Sequence, residues 1–182
     1  IADPAGTDPV DIDACFGPGT EDVRLEIGFG AGEHLSGEAA ANPHAGYIGC
    51  EPFINGVAAL LADVERLGLT NVRVFDEDAR LLLDRLPENS IGRIYLLFAD
   101  PWPKARHNRR RILQAETLDK LARLARDGAE LVFASDHMGY VAWALAEVRR
   151  HADWRWTAEG PADWRNPPAG WVPTRYEQKA LR

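Results

Sequence analysis

The chain has 182 residues, 46% hydrophobic and 27% charged, with 21 Lys and Arg against 28 Asp and Glu for a formal net charge of −7. That length and composition suit one packed domain and exclude a disordered chain. No apolar run approaches the roughly 18 residues of a membrane helix, two cysteines (Cys15 and Cys50) are too few for a disulfide framework or a four-cysteine zinc site, and an acidic chain is no general nucleic-acid coat.

With no secretory signal in view, the cytoplasm is the expected compartment. Ile1 stands where Met would begin a chain, so an upstream segment is expected. Residues 1–22, with Pro4, Gly6, Pro9, Gly17, Pro18 and Gly19, read as a loop or tail ahead of a single domain over 23–182. Residues 23–27 form a short strand that stops at a glycine cluster. Residues 33–41 predict a helix ended by Asn42-Pro43. A second strand covers 46–50. Pro52 then suits the first turn of a helix in which Ile54, Val57, Leu61 and Val64 recur at helical spacing up to Gly68. Residues 72–75 are a third strand and 79–86 a short helix. Residues 91–99 are nearly all apolar, as a central parallel strand requires. Residues 112–127 are apolar at 113, 118, 121 and 124, which predicts a helix with Gly128 as its C-cap. A fifth strand over 130–135 and a helix over 138–151 follow. The stretches 154–157 and 175–181 carry weaker strand patterns. This alternation predicts the α/β class: a doubly wound, mostly parallel sheet with helices on both faces.

Ligands of such sheets lie at the carboxyl ends of the strands. Every expected strand end carries an acid: Glu26 beside Gly28, Gly30 and Gly32, then Glu51, then Asp76 and Asp78, then Asp100, then Asp136. Buried unpaired carboxylates are costly, so a ligand rich in donors or positive charge explains the pattern better than packing does. The glycine spacing is G-x-G-x-G, with Glu26 two residues ahead of it. A dinucleotide loop is G-x-G-x-x-G and faces a pyrophosphate, which a carboxylate there would repel. Glu26 would instead pair with an amino acid's ammonium group. Glu51, at the next strand end, sits where an acid accepts ribose hydroxyls. Asp78 is placed for an adenine amino group. The set fits S-adenosylmethionine better than a nicotinamide cofactor. The blander alternative is that the glycines only close a turn. The histidines His34, His44, His137 and His151 lie apart without ligand spacing, so no metal is expected. Cys50 and Trp143 read as core, and Trp154, Trp156, Trp164 and Trp171 as cover for the sheet's open edge.

Residues 104–111 hold five of the 21 basic residues and leave the rest of the chain at −12. Such a run is either a solvated face or a local contact with a polyanion. The segment Phe98-Ala99-Asp100-Pro101-Trp102-Pro103-Lys104-Ala105-Arg106-His107, with Arg109, Arg110 and Arg111 behind it, resembles the bacterial tRNA (guanine-N7-)-methyltransferase family, the TrmB type. Asp136 and the run Thr174-Arg175-Tyr176-Glu177 extend the resemblance, which covers roughly 23–181. It implies the class I S-adenosylmethionine-dependent, Rossmann-like fold. It also implies methyl transfer to N7 of a guanosine in tRNA, at position 46 of the variable loop. By the same resemblance Glu26, Glu51, Asp78 and Asp100 contact the cofactor, and Asp100 is the catalytic position. Lys104, Asp136, Thr174, Arg175, Tyr176 and Glu177 match substrate contacts, and Arg106, His107, Arg109, Arg110 and Arg111 match the RNA-interaction segment. Ala99 departs from the family's usual Pro.

Guanine N7 carries a lone pair and no proton, so no general base is required and placement is the task. Asp100 is expected to orient the base by accepting its N1 and N2 hydrogens. Trp102 either stacks on the guanine or floors the loop. Lys104 and the arginines are expected on phosphates. Two rivals remain: methylation of an exocyclic amine, since Asp100-Pro101-Trp102 partly matches an [Asp/Asn]-Pro-Pro-aromatic loop, and a non-catalytic tRNA-binding module. The oligomeric state, monomer or homodimer, stays open.

Overall fold

The computed structural model describes residues 6–168 and 170–180. Strands β1 (Val23–Ile27), β2 (Gly46–Cys50), β3 (Val72–Phe75), β4 (Ile91–Leu97) and β5 (Ala125–Ala134) form one sheet in the order β3-β2-β1-β4-β5, with every neighbouring pair parallel. Successive residues of a strand point to opposite faces, and the apolar residues follow that period. Val23, Leu25 and Ile27 of β1 join Ile48 and Cys50 of β2 in the larger core, while Tyr47 belongs to the smaller one. Helices α2 (Glu33–Ala41) and α3 (Ile54–Leu67) cover the smaller core through Leu35, Ala39, Val57 and Leu60. Helices α4 (Ala79–Leu83), α5 (Ala115–Leu124) and α6 (Met138–Arg150) cover the larger one through Leu82, Leu118, Leu121 and Tyr140.

The strand order turns round between β1 and β4: the chain runs outward through β2 and β3, then returns to the other side of β1. In open parallel sheets, loops leave such a switch in opposite directions, and ligands bind there, at the carboxyl ends of the strands. The glycine loop after β1 and the Asp100 loop after β4 therefore leave neighbouring strands at the same end of the sheet.

Several boundaries differ from expectation. Within the segment read as a tail, α1 (Ile12–Phe16) is a helix with the Asp11 side chain on the N–H of Ala14 at 3.0 Å, and Val10 is buried. Ile12, Cys15 and Phe16 pack on the larger core, a gain invisible to a composition dominated by Pro and Gly. Gly128 caps no helix. The apolar stripe ends at Leu124 and the chain enters β5 at once. Gly128 takes φ +79 in an irregularity of β5, where Ile91 pairs with Ala125 but Arg93 already pairs with Glu130. Helix α3 begins at Ile54 with Phe53 as its N-cap, so Pro52 lies ahead of the first turn, and a Glu51 carboxylate oxygen accepts the N–H of Phe53 at 2.9 Å. Residues 154–157 form no strand, although Trp154 donates to the Leu118 carbonyl at 3.2 Å and packs on the core. Trp156 and Trp164 are exposed and cover no sheet edge. The expected last strand is instead α8 (Arg175–Ala180), preceded by the short α7 (Pro161–Arg165); Leu181 lies outside the described residues.

Candidate active site

The glycine loop turns sharply because Gly28, Gly30 and Gly32 all take positive φ (+74, +61 and +85). A Cβ on Gly28 or Gly30 would meet nothing within 4 Å, so this part of the loop faces open space and glycine is required by backbone shape alone. Glu51 fixes the loop from β2: its Oε2 accepts the N–H of Gly30 at 3.0 Å while Oε1 takes Phe53. Each oxygen keeps a lone pair for a hydroxyl.

Glu26 is only 3% exposed and its Oε2 lies 2.7 Å from His34 Nδ1. One oxygen of the acid expected to meet an ammonium group thus already has a partner within the chain. His34 is the functional neighbour that sequence reasoning missed. It lies second in α2, eight residues on, where only the strand-to-helix turn brings it back over β1. Its Nε2 is buried without a hydrogen bond, and its ring sits 4.7 Å from Tyr95 and 4.8 Å from Trp171. Burial holds the Glu26 carboxyl above its ordinary range, against the opposing pull of the His34 hydrogen bond. The folded chain thus retains a proton that the unfolded chain releases near pH 4.5, and stability falls as pH rises from there through the folded value. Glu26→Gln keeps an acceptor for His34 and removes this dependence. Its melting temperature relative to the parent is expected to climb as pH rises from about 4.5 to 8. A difference that stays flat across that range would show that burial does not shift this carboxyl.

Asp78 caps α4, accepting the Arg80 N–H at 2.9 Å and an Arg80 guanidinium N–H at 2.9 Å. The same guanidinium reaches the Arg110 carbonyl at 3.3 Å. The acid expected near adenine is thereby tied to the basic segment.

Asp100 is exposed and sits between two strained residues. The positive-φ non-glycine residues among those described are Asn89, Phe98 (+51) and Trp102 (+44), and the last two flank Asp100. Such strain persists only where the surroundings hold it, and it concentrates at functional loops. Phe98 is held by its N–H on the Ala134 carbonyl at 2.8 Å, and the loop by Arg111, whose Nε donates to the Pro101 carbonyl at 2.8 Å. Arg111 was expected on RNA. It is instead 4% exposed, with its guanidinium 5.1 Å from the Tyr140 ring and 5.2 Å from the Trp143 ring, so it braces the loop from inside. Lys104, Arg106, Arg109 and Arg110 are exposed along the 3-10 turn Ala105–Arg110. Half-buried His107 meets the Trp102 ring edge-on at 6.0 Å, and Arg110 lies over that ring at 4.8 Å.

Asp136 accepts the Tyr176 hydroxyl at 2.8 Å, which raises the phenol above its usual range. The Tyr176 ring lies 5.1 Å from that of Phe98. The ends of β4 and β5 and the C-terminal element therefore converge. Thr174 and Glu177 do different work from that expected. Glu177 N–H donates to Thr174 Oγ1 at 3.2 Å and Thr174 N–H to Glu177 Oε2 at 2.7 Å, a reciprocal capping box at the start of α8. Trp171 Nε1 adds a bond to Glu177 Oε1 at 3.1 Å. Arg175 is exposed.

A family model described as "Putative methyltransferase" matches residues 20–182. The tRNA (guanine-N(7)-)-methyltransferase of Rhodospirillum rubrum is 50% identical over 180 residues, covering 99% of this chain and 68% of that protein. The protein of the same name from Rhodopseudomonas palustris is 49% identical over 180 residues, covering 99% of this chain and 72% of that one. Among solved structures, the precorrin-6y C5,15-methyltransferase of Geobacter metallireducens matches with a TM-score of 0.59 at 18% identity, over 72% of this chain and 62% of that chain. That likeness speaks for the fold alone.

Proposed function

The chain belongs to the tRNA (guanine-N(7)-)-methyltransferase family, and from that premise we propose that it moves a methyl group from S-adenosylmethionine to N7 of a guanosine in tRNA, at position 46 of the variable loop. The observation that carries this reading is the adjacency of β1 and β4 at the switch in strand order, which sets the glycine loop and Asp100 at one end of the sheet, with the exposed Lys104, Arg106, Arg109 and Arg110 following Asp100 in the chain. The donor fits the residues present. The loop at Gly28 and Gly30 faces open space, and Glu51 offers free lone pairs at its rim. Glu26 and Asp78 complete the set, for the ammonium and adenine groups respectively.

When bound, S-adenosylmethionine supplies a methyl already activated by a positively charged sulfur. Asp100 accepts the N1 and N2 hydrogens of guanine and turns N7 toward the donor. Phe98 and Tyr176 line the approach, with Tyr176 steadied by Asp136. No side chain has to remove a proton from N7 before transfer. Lys104, Arg106, Arg109 and Arg110 hold phosphates and set register.

Transfer of labelled methyl to unmodified tRNA, followed by nucleoside digestion, tests the reading. N7-methylguanosine is expected; an N6- or N4-methyl product, or no transfer at all, overturns it. The basic turn has its own test. Replacing Arg109 and Arg110 together with Gln is expected to weaken tRNA binding and to lower the slope of log affinity against log salt by about 1.5, two phosphate contacts' worth. An unchanged slope would return the turn to a solvated face.

A further inference from the structure

Trp102 also lines a cavity of about 470 Å³, together with Arg80, Arg109, Arg110, Glu116 and Lys120. Its size falls within the range of ligand sites, roughly 300–1,000 Å³. Four cations face one acid. Arg80 is paired with Asp78 at 2.9 Å, and Lys120 with Asp84 at 2.9 Å and Glu116 at 3.6 Å. Among the described residues neither Arg109 nor Arg110 has an acid within ion-pair distance. Two uncompensated guanidinium groups on a chain of net charge −7 mark a place built for an anion. The wall is also shaped: Arg110 lies 4.8 Å over the indole, and Arg80 holds the Arg110 carbonyl at 3.3 Å. A guanidinium plane beside an aromatic face is a combination on which unstacked RNA bases settle. Trp102 is two residues from Asp100, at most about 7 Å along the chain.

We propose that this cavity is a second nucleotide subsite. It takes a nucleotide adjoining the methylated guanosine, with the phosphate among Arg80, Arg109, Arg110 and Lys120 and the base against Trp102 and Arg110. The proposal rests on the chain's acting on tRNA, and it adds α4 and α5 to the RNA-contacting surface. It also gives Arg80 a second role: the side chain that braces Asp78 touches the RNA phosphate, so the two sites share a wall.

Glu116 provides a test with opposite signs. It stands in the first turn of α5 with its side chain 86% exposed, so substitution there disturbs no core. Glu116→Gln removes a repelling charge and is expected to lower KM for a tRNA transcript about twofold. Glu116→Trp removes the same charge but sets a bulky ring at the cavity's rim, and is expected to raise that KM at least about fivefold. Tighter or unaltered tRNA use by Glu116→Trp, with its melting temperature preserved, overturns the subsite. Should that variant fail to fold, Lys120→Gln decides: a salt slope lower by about 0.7, one single-strand phosphate contact, supports the subsite and an unaltered slope rejects it. Calorimetry of the parent chain with S-adenosylmethionine separates the two levels, since lack of binding there sinks the methyltransferase reading and not the cavity alone.

Discussion

Asp100→Asn is expected to lower turnover on tRNA by on the order of 100-fold while the dissociation constant for S-adenosylmethionine changes less than about threefold. The substitution keeps size and shape, and Asp100 is exposed, so the fold has little reason to respond. What changes is the hydrogen-bond pattern. A carboxylate only accepts, and can face the N1 and N2 hydrogens of guanine together. An amide turns one acceptor into a donor, which then faces another donor, and the base tilts away from the line of attack. Misplacement by about 1 Å is enough for a loss of this order. The loss should fall on turnover because the group acts on the acceptor's orientation, not on donor affinity. If affinity for S-adenosylmethionine drops in proportion to turnover, Asp100 is chiefly a donor ligand and another residue orients the base.

The strands and their acids were legible because they rest on short-range rules. Val23 to Ile27 and the acids at positions 26, 51, 78, 100 and 136 follow from period-2 apolar patterning and from what stands at each strand's end. The misses share a different cause. Arg111 reads as one more cation in a basic run, yet Tyr140 and Trp143, some 30 positions on, bury it and turn it into the brace of the Asp100 loop. His34 carries no spacing signal toward Glu26, and only the turn through three glycines sets them 2.7 Å apart. Residues 174–177 follow Thr-x-x-Glu, which is a helix-start signal in its own right, but the aromatic and β-branched residues around it favoured a strand. Substitution at Arg111 should therefore act through the loop's shape and not through phosphate binding.

The second large effect concerns a residue without any motif, Gly56 in the first turn of α3. Gly56 is buried, and a Cβ there would lie 2.1 Å from the Gly30 carbonyl oxygen and 3.3 Å from Glu51 Cγ. Two opposing effects decide the outcome of Gly56→Ala. Inside a helix, alanine is favoured over glycine by about 1 kcal/mol, which alone would stabilise the chain. The collision is with backbone, which cannot swing aside as the end of a side chain could, and overpacking of this kind costs about 1–3 kcal/mol. The clash outweighs the gain in helix propensity. Melting should therefore fall, by roughly 2–4 °C for each kcal/mol of net loss in a chain of this size. The function should suffer more than the stability. Relieving the contact pushes α3 from the glycine loop or drags Gly30 with it, and either movement strains the Gly30–Glu51 hydrogen bond at the proposed donor site. Affinity for S-adenosylmethionine is expected to drop by on the order of tenfold, about 1.4 kcal/mol. A higher melting temperature with unchanged affinity would show that helix propensity governs this position. The close approach of α3 would then play no part in holding the loop open for its ligand.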